Sequence, residues 1–271
     1  MSWERAVAHV ADLASGDPVD PALRVTVHFH PDRMFAGEPI LAAMARAGVY
    51  RSQFETGTGN GGLTAHPGGD RWRWESRMFG GVYDAAAASS RPKYGSLNHR
   101  RRPEGGSPRF GSAYLRMRPE TLPRTTFCYP DSYLAPSSFG VASRMSLIAL
   151  ADADSLDYLD DYIEAHVHGV VRFDSDVEAL VLDPCYRGTA VEELAAGLRC
   201  PVEWHPGFAL SVDELVRHPD YRGPEVVAAG LEVAVDGRLD ARIVGAAANA
   251  GKHDPQTLKR VWHHVARFGR S

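Results

Sequence analysis

LRVTVHFHPD, residues 23–32, has the alternation and the β-branched residues of a buried strand, and it ends in two histidines before a proline. The next segment, EPILAAMARAG at residues 38–48, has the spacing of an amphipathic helix that ends at a glycine. VYRSQFE, residues 49–55, predicts a second strand, which leads into the glycine-rich loop 56–63. The first unit is therefore a strand, a helix, a strand and a glycine loop.

The same patterns predict the other elements of the chain. A helix over 72–83 carries aromatic and apolar residues on one stripe, and residues 162–173 and 177–182 predict two late strands. Helical patterns dominate after the second of these strands. We therefore expect an α+β catalytic core with an N-terminal helix over residues 1–184. A mainly helical extension over residues 185–271 is expected to pack on that core.

The composition excludes several classes of protein. Of the 271 residues, 44% are hydrophobic and 24% are charged, which indicates a globular chain and excludes disorder and coiled coils. No apolar run is long enough for a membrane span, and the N-terminal segment carries acids where a secretory signal is basic. We expect a cytoplasmic protein without membrane attachment. Cys128, Cys185 and Cys200 show no CxxC spacing, which argues against disulfides and against a thiolate metal site.

Charge is segregated along the chain, although the formal net charge is only −4. Residues 91–124 contain nine lysines and arginines against two glutamates, a balance of +7, whereas residues 151–193 contain twelve acids against two arginines. A basic face beside an acidic one suits a ligand that carries phosphates, and two solvated faces that balance each other are the alternative. The basic segment also makes nucleic acid a possible partner, although no recognised nucleic-acid module accompanies it.

His28 and His30 lie two residues apart on an extended segment and therefore point to the same face. Many metal-dependent hydrolases present their first two ligands in this way. The spacing alone leaves three roles open for the pair: metal binding, substrate binding without a metal, and a structural role.

The segment YIEAHVHG, residues 162–169, places Glu164, His166 and His168 on one face of a strand. A carboxylate among polar neighbours acts as a general base or stabilises a developing cation. The alternative is a surface strand whose polar face meets solvent. Glu164 is the leading catalytic candidate of the chain.

The loop ETGTGNGG, residues 55–62, offers backbone N–H groups without steric obstruction and is a candidate phosphate site. It matches neither the P-loop nor the dinucleotide-binding pattern, so a turn-rich loop is the alternative. Arg51 and Ser52 are polar residues on a segment otherwise fit for burial, which favours a position facing a pocket. Thr56 lies in the loop itself.

The segment RPKYGSLN, residues 91–98, also offers groups for a ligand. The ring of Tyr94 is suited to stacking on a planar base or ring. Lys93 adds a cation, and Gly95 lets a ligand approach the backbone closely.

Long motifs throughout the chain resemble the bacterial family known as domain of unknown function 3626. That resemblance covers nearly the whole chain and implies no particular activity. The motifs are HFHPDR (28–33), YRSQFETGTGNGGLTAHPGGDRWRWESRMFGG (50–81), RPKYGSLN (91–98), GSPRFGSAYLRMRP (106–119), TTFCYPDS (125–132), YIEAHVHG (162–169) and VEALVLDPCYRGT (177–189).

The order of these motifs is similar to that of the ADP-ribosyltransferase superfamily. In that superfamily a histidine on the first strand precedes a helix and a second strand, a central aromatic or serine segment follows, and a glutamate lies on a late strand. The resemblance implies split antiparallel β-sheets with surrounding helices, which bind NAD in a cleft. HFHP in place of His-Gly-Thr and a single glutamate in YIEAHVHG are departures from the usual pattern.

Carried onto this chain, the resemblance implies that His28 or His30 holds the nicotinamide ribose. Glu164 would orient the ribose or the acceptor and stabilise the oxocarbenium-like transition state. Tyr94 would pack on nicotinamide, with Ser76 of the WESRMFGG segment as its rival. The expected catalytic residues are Glu164, His30 and Tyr94, and the expected NAD-binding residues are His28, His30, Arg51, Ser52, Thr56, Ser76, Lys93, Tyr94 and Gly95.

The predicted function is cleavage of the nicotinamide N-glycosidic bond of NAD, with transfer of ADP-ribose to an unknown acceptor or to water. NAD is then a substrate, and no metal is expected. A metal-dependent hydrolase that uses His28 and His30 is the first alternative. A non-catalytic module that binds nucleic acid or an acidic partner through residues 91–124 is the second.

Overall fold

The computed structural model describes residues 2–57 and 63–270. These residues form ten α-helices, none of which is both long and apolar enough to cross a membrane. The α-helices are α1 (Ser2–Leu13), α2 (Ile40–Ala47), α3 (Gln53–Thr56), α4 (Asp70–Met78), α5 (Leu147–Ala153), α6 (Ala190–Ala195), α7 (Val212–Leu215), α8 (Pro224–Val233), α9 (Ala241–Ala250) and α10 (Pro255–Phe268). Short 3-10 helices cover Ala88–Ser90, Pro108–Phe110, Pro119–Arg124, Ser132–Leu134 and Pro184–Tyr186.

Eight strands form one sheet in the order β12-β11-β6-β1-β5-β9-β7-β8. β11 and β12 run parallel, and the other neighbours in this sheet pair antiparallel. The fold is therefore α+β, as predicted, with one large mixed sheet. The strands are β1 (Val25–Phe29), β2 (Met34–Phe35), β3 (Glu38–Pro39), β4 (Val49–Tyr50), β5 (Lys93–Leu97), β6 (Ala113–Met117), β7 (Thr125–Tyr129), β8 (Ser138–Val141), β9 (Ile163–Val167), β10 (Val171–Arg172), β11 (Val177–Leu182), β12 (Val202–Trp204), β13 (Ala209–Ser211) and β14 (Arg238–Asp240).

The hydrogen-bonded sheet is continuous, but its centre is weakly joined. β1 and β5 pair only at Val25 with Leu97 and at Thr26 with Ser96, whereas β5 pairs with β9 at five positions and β1 with β6 at four. A Cβ on Gly95 would lie 2.5 Å from the carbonyl oxygen of Thr26, so glycine is needed where the two strands meet. The described strands thus form one large mixed sheet, where the resemblance implies split antiparallel sheets.

One face of the sheet is apolar and carries the main hydrophobic core. Side chains alternate between the two faces of a strand, and Val25, Val27 and Phe29 of β1 all point to this side. Leu41 of α2 and Leu147 of α5 pack against it. Full burial of such a side chain contributes roughly 1.5–3 kcal/mol, so this face supplies much of the free energy of folding.

The opposite face is polar and also buried. Helices α1 and α4 cover one end of it, where Trp74 and Met78 pack with Cys128. The chain after β5 covers the middle, since the backbone N–H of Gly106 donates to the Thr26 hydroxyl at 3.0 Å. A buried polar layer costs free energy unless its groups find partners, so these residues set the candidate site. The members of this face are Thr26, His28, Tyr94, Ser96, Tyr114, Arg116, Thr126, Cys128, Glu164 and His166.

Helices α7 to α10 form a C-terminal unit with its own apolar cluster, which includes Phe208, Leu239 and Trp262. The unit is mainly helical, and it also contains β13 and β14. Residues before it also belong to the core, because β12 at Val202–Trp204 pairs with β11 in the core sheet.

The strand predicted over residues 49–55 is wrong beyond Tyr50. Residues Gln53–Thr56 form the short helix α3 instead. Ser52 accepts a hydrogen bond from the backbone of Glu55, and the Glu55 carboxylate accepts one from the backbone of Ser52, which makes a capping box. The S-x-x-E signature in SQFE favours a helix start over a strand.

Candidate functional site

Strands β5, β9 and β7 bring the polar residues of the candidate site together. Ser96 lies opposite Glu164, and Glu164 lies opposite Cys128. Two residues further along these strands, on the same face, Tyr94 lies opposite His166. Directly opposed residues share a face of the sheet, with Cβ atoms about 4.5–5.5 Å apart. The sequence motifs KYGSL and YIEAHV thus meet side by side, although about seventy residues separate them.

Glu164 is 6% exposed and is held by charge-assisted hydrogen bonds. The Ser132 hydroxyl donates to its Oε2 at 2.9 Å, His166 Nε2 lies 2.9 Å from its Oε1, and Arg71 Nη1 lies 3.7 Å from Oε1. Burial alone would raise the pKa of Glu164, but these partners hold the pKa below its usual value. The carboxylate is therefore ionised at neutral pH although it is buried.

A chain of hydrogen bonds leads from Glu164 into the protein. His166 Nδ1 lies 3.2 Å from the Thr126 hydroxyl, which lies 2.9 Å from His168 Nε2. His168 Nδ1 lies 2.7 Å from the Tyr83 hydroxyl. Burial lowers the pKa of His168 well below its usual value, so this imidazole is neutral.

The direction of this relay follows from its ends. A carboxylate only accepts, so His166 donates through Nε2, and with a neutral ring it accepts through Nδ1. The Thr126 hydroxyl then donates to His166 and accepts from His168, and Tyr83 donates to His168. Every hydrogen in the relay from Tyr83 to Glu164 has an acceptor, and both histidine tautomers are fixed.

Replacing Thr126 with valine should cut the relay and destabilise the protein by about 2–4 kcal/mol. The change leaves His166 Nδ1 and His168 Nε2 buried without partners, and an unsatisfied buried polar group costs about 1–3 kcal/mol. Urea unfolding at neutral pH measures the free energy of unfolding. Thr126→Ser is the matched control because it keeps the hydroxyl, and equal stability of the two variants would contradict the relay.

A second network surrounds Tyr94. Its hydroxyl donates to Glu75 Oε1 at 2.9 Å, and the guanidinium of Arg71 lies 4.0 Å from its ring centroid. Arg91 Nη1 donates to Glu75 Oε2 at 2.5 Å. Burial raises the pKa of Glu75 to about 7, against the effect of Arg91. Arg71 therefore contacts Glu164 directly and reaches Glu75 through the ring of Tyr94. Burial raises the pKa of Glu75, whereas the partners of Glu164 lower the pKa of that carboxyl.

The residues of both networks lie in the part of the chain that a protein-family model covers. A model of the family described as protein of unknown function (DUF3626) matches residues 24–153 and 141–267. The chain belongs to this family. The match spans both the eight-stranded sheet and the helical C-terminal unit, which confirms the DUF3626 prediction made from the sequence motifs. No curated protein matches the chain.

The histidine pair of the DUF3626 chain meets two different environments. His28 Nδ1 donates to the Gly111 carbonyl at 3.0 Å, and its Nε2 accepts from the Ser107 backbone at 3.3 Å. Both nitrogens of His28 are therefore already bonded within the chain, which disfavours a metal or a ribose hydroxyl there. The ring of His30 meets Trp262 edge-on, with centroids 5.2 Å apart. Burial lowers the pKa of both histidines to about 3.

Three predicted ligand groups have structural partners instead. Lys93 points away from Glu164, and its ammonium donates to the carbonyls of Ser89, Arg91 and Gly169 at 2.9–3.0 Å. Gly95 faces the backbone of β1 rather than an open cleft. The Ser76 hydroxyl donates to Asp84 at 3.0 Å, away from Tyr94. Of the two candidates for the central position, the structure brings only Tyr94 to the network around Glu164.

The predicted phosphate loop gives a mixed picture. Ser52 caps α3 and donates to the Ala88 carbonyl at 2.7 Å, and Thr56 donates to the Ser52 carbonyl at 3.3 Å. Arg51 is exposed. Residues 58–62, the centre of the loop, lie outside the described residues. Ser52 and Thr56 therefore stabilise a helix end, and the phosphate role of the loop stays a prediction.

The two oppositely charged segments of the sequence pair with each other. Arg102 reaches Asp161 at 2.5 Å, and Arg124 reaches Asp176 at 2.8 Å. Each pair joins residues 91–124 to residues 151–193. Three more arginines make similar contacts: Arg100 with Asp152 and Asp161, Arg109 with Asp160, and Arg116 with Glu178. These partly exposed pairs balance the charges of the two segments, which favours the balanced alternative over a basic nucleic-acid face.

Three side chains of the site could hold a metal ion by their spacing: ligand atoms of Cys128, Glu164 and His166 lie within 4.8 Å of one another. A thiol must lose its proton to bind zinc, yet burial raises the pKa of Cys128 well above its usual value. Glu164 already accepts from Ser132 and His166, and the cation of Arg71 beside it opposes a second cation. The group fits a hydrogen-bonded network better than a metal centre.

Sequence reasoning missed several members of the site. Arg71 and Glu75 lie one turn apart on the buried stripe of α4, and two opposite charges among tryptophans are a signal that they face a polar interior. Thr126 and Tyr83 give no local signal, because their roles depend on which strands become neighbours. Ser132 lies in a turn after β7, where a serine is unremarkable.

Proposed function

We propose that the chain is an NAD-dependent ADP-ribosyltransferase or NAD glycohydrolase with an ADP-ribosyltransferase-like fold. One observation carries the proposal. The histidine strand β1, the tyrosine strand β5 and the glutamate strand β9 are neighbours in that order, with Tyr94 and Glu164 on one face. The resemblance to the superfamily requires the same three groups around one NAD molecule.

The short pairing between β1 and β5 marks the place proposed for NAD. Residues 106 and 107 cover it, because Gly106 donates to Thr26 and Ser107 donates to His28, so NAD binding there requires this segment to move. Pairing ends at Thr26 and Ser96, so His28 and Tyr94 lie beyond the last pair, on opposite sides of the divergence. A dinucleotide bound there would reach both halves of the sheet. Because both nitrogens of His28 are bonded to backbone, His30 is the better candidate for a contact with the ribose.

The environment of Glu164 suits the proposed chemistry. In NAD cleavage the bond between C1′ and nicotinamide breaks, nicotinamide leaves with the electron pair, and positive charge develops on the ribose. A nucleophile, water or an acceptor side chain, then bonds to C1′ and loses its proton. A carboxylate kept ionised in a dry, preorganised site stabilises such a cation far better than one in water.

Arg71 supports the assignment of Tyr94 to nicotinamide. Its guanidinium, a planar cation, lies on the ring of Tyr94 and 3.7 Å from Glu164. The nicotinamide ring of NAD is also planar and cationic, so these two residues already hold a group of the required shape and charge. NAD binding in this position requires the Arg71 side chain to move aside.

The test measures nicotinamide release from NAD by the purified protein, NAD binding by calorimetry, and the metal content of the same sample. We expect nicotinamide release, with equal amounts of free ADP-ribose if water is the acceptor. No release together with no saturable NAD binding would refute the proposal. Stoichiometric zinc or manganese in that case would favour the metal-dependent hydrolase.

A further inference from the structure

A second group of polar side chains lies outside the Glu164 site, where the core meets the C-terminal unit. The indole N–H of Trp262 donates to the Pro108 carbonyl at 2.9 Å and fixes Pro108–Phe110 against α10. Segments distant in sequence thereby bring cations and imidazoles to one place. We call this group the junction cluster, and its members are His30, Arg109, Arg222, Lys259 and His263.

One carboxylate holds two arginines of the junction cluster. Arg109 Nη1 bonds to Asp160 Oδ1, and Arg222 Nη2 lies 3.9 Å from Asp160 Oδ2. Lys259 and His263 lie one turn apart on the same side of α10. With neutral histidines, the cations of Arg109, Arg222 and Lys259 and the carboxylate of Asp160 sum to a formal charge of +2, and the charge of Arg109 also acts on Asp131.

Several buried atoms of the junction cluster have no partner among the described residues. His263 is 4% exposed, and neither of its ring nitrogens makes a hydrogen bond. The Nε atoms of Arg109 and Arg222 are likewise buried and unpartnered. More than nine in ten buried polar groups in proteins have a partner, so this concentration of unused N–H groups indicates a missing acceptor.

The electrostatics of the cluster agree with a missing anion. Burial, followed by the charges of Arg109, Arg222 and Lys259, lowers the pKa of His263 far below its usual value. Burial and the charge of Arg109 also lower the pKa of Lys259. The cations of the cluster thus repel one another, and a bound anion would relieve that repulsion.

We propose that the junction cluster binds a phosphate group and that the C-terminal unit supplies half of this site through Lys259 and His263. A phosphate has enough acceptor oxygens for Arg109, Arg222, Lys259 and His263 together, and its charge of nearly −2 matches the cluster. The side chains of Arg109, Arg222 and Lys259 are partly exposed, whereas His263 is buried, so the junction cluster reaches the protein surface. The inference does not require the NAD reaction.

Calorimetric titration of the full chain with inorganic pyrophosphate at constant ionic strength tests the site. We expect saturable one-to-one binding, which Lys259→Gln weakens by at least about tenfold through loss of a charge-assisted hydrogen bond. Arg260→Gln is the matched control, because Arg260 is the adjacent residue of α10, is exposed and faces Glu225 at 3.4 Å. It should leave pyrophosphate affinity unchanged.

No saturable pyrophosphate binding, or equal weakening by Lys259→Gln and Arg260→Gln, would overturn the phosphate site. NMR of the His263 ring nitrogens during the titration gives a local readout. Binding in the junction cluster should shift these resonances, whereas general attraction of pyrophosphate to a basic surface would not. Competition with NAD then distinguishes the sources of the phosphate. Displacement of pyrophosphate by NAD identifies the diphosphate of NAD as the occupant, and absence of displacement identifies a free phosphate compound.

Discussion

Replacing Glu164 with glutamine should lower the rate of nicotinamide release by at least about a hundredfold, the usual effect of losing a general base or one electrostatic stabiliser. NAD binding should survive, because the carboxylate acts mainly on the charge that develops in the transition state. Single-turnover nicotinamide release and calorimetric NAD binding, measured on the same preparation, separate the two effects.

The Glu164→Gln protein should remain folded because the relay can reverse. The glutamine N–H₂ donates to His166 Nε2, and His166 then donates through Nδ1 to the Thr126 hydroxyl. Thr126 donates to His168 Nε2, and His168 Nδ1 donates to the Tyr83 hydroxyl. Glu178→Gln is the matched control, because Glu178 lies on β11 and pairs with Arg24 and Arg116 instead. Equal release by wild type and Glu164→Gln would exclude Glu164 from the reaction.

Replacing Arg71 with alanine should destabilise the protein by about 3–5 kcal/mol at neutral pH, the usual cost of leaving a buried charge without its partner. The change removes the hydrogen bond from Arg71 to Ser132 at 2.7 Å, the contact with Glu164 and the stacking on Tyr94. Urea unfolding of the wild type and the variant across a range of pH measures this cost.

The pH dependence of that cost has a definite sign. The folded pKa of Glu164 lies below its ordinary value of 4.5, so its partners contribute stability above 4.5, and this contribution is lost as pH falls through the folded pKa. The penalty of Arg71→Ala should therefore shrink in acid. Arg77→Ala is the control on the outer face of α4, where Arg77 is exposed and its guanidinium lies 5.1 Å from the centroid of the Trp74 ring. A penalty that does not change with pH would contradict the ion pair.

The sequence pattern predicts those elements whose burial is one-sided. The late strand at Val177–Leu182 has the predicted bounds, because it is rich in apolar residues and turn residues flank it. Residues 49–55 form a strand only at Val49–Tyr50, because the capping box of Ser52 and Glu55 begins helix α3 directly afterwards.

The candidate site is predictable only in part, for a physical reason. Glu164 and Tyr94 stand out locally because a charged or hydroxylated side chain interrupts an apolar strand. Arg71, Thr126 and Ser132 acquire their roles only from the order of strands and the placement of α4. Long-range pairing of this kind leaves no periodic trace in the chain.

The one-way relay has an electrical consequence. From Tyr83 to His166 each donor bond points its positive end toward Glu164, so the bond dipoles add along the row as they do along a helix axis. Glu164 therefore sits at the positive end of a fixed dipole array built from neutral side chains. This array needs no counterion and responds little to salt, because it lies in the protein interior, beyond the reach of mobile ions.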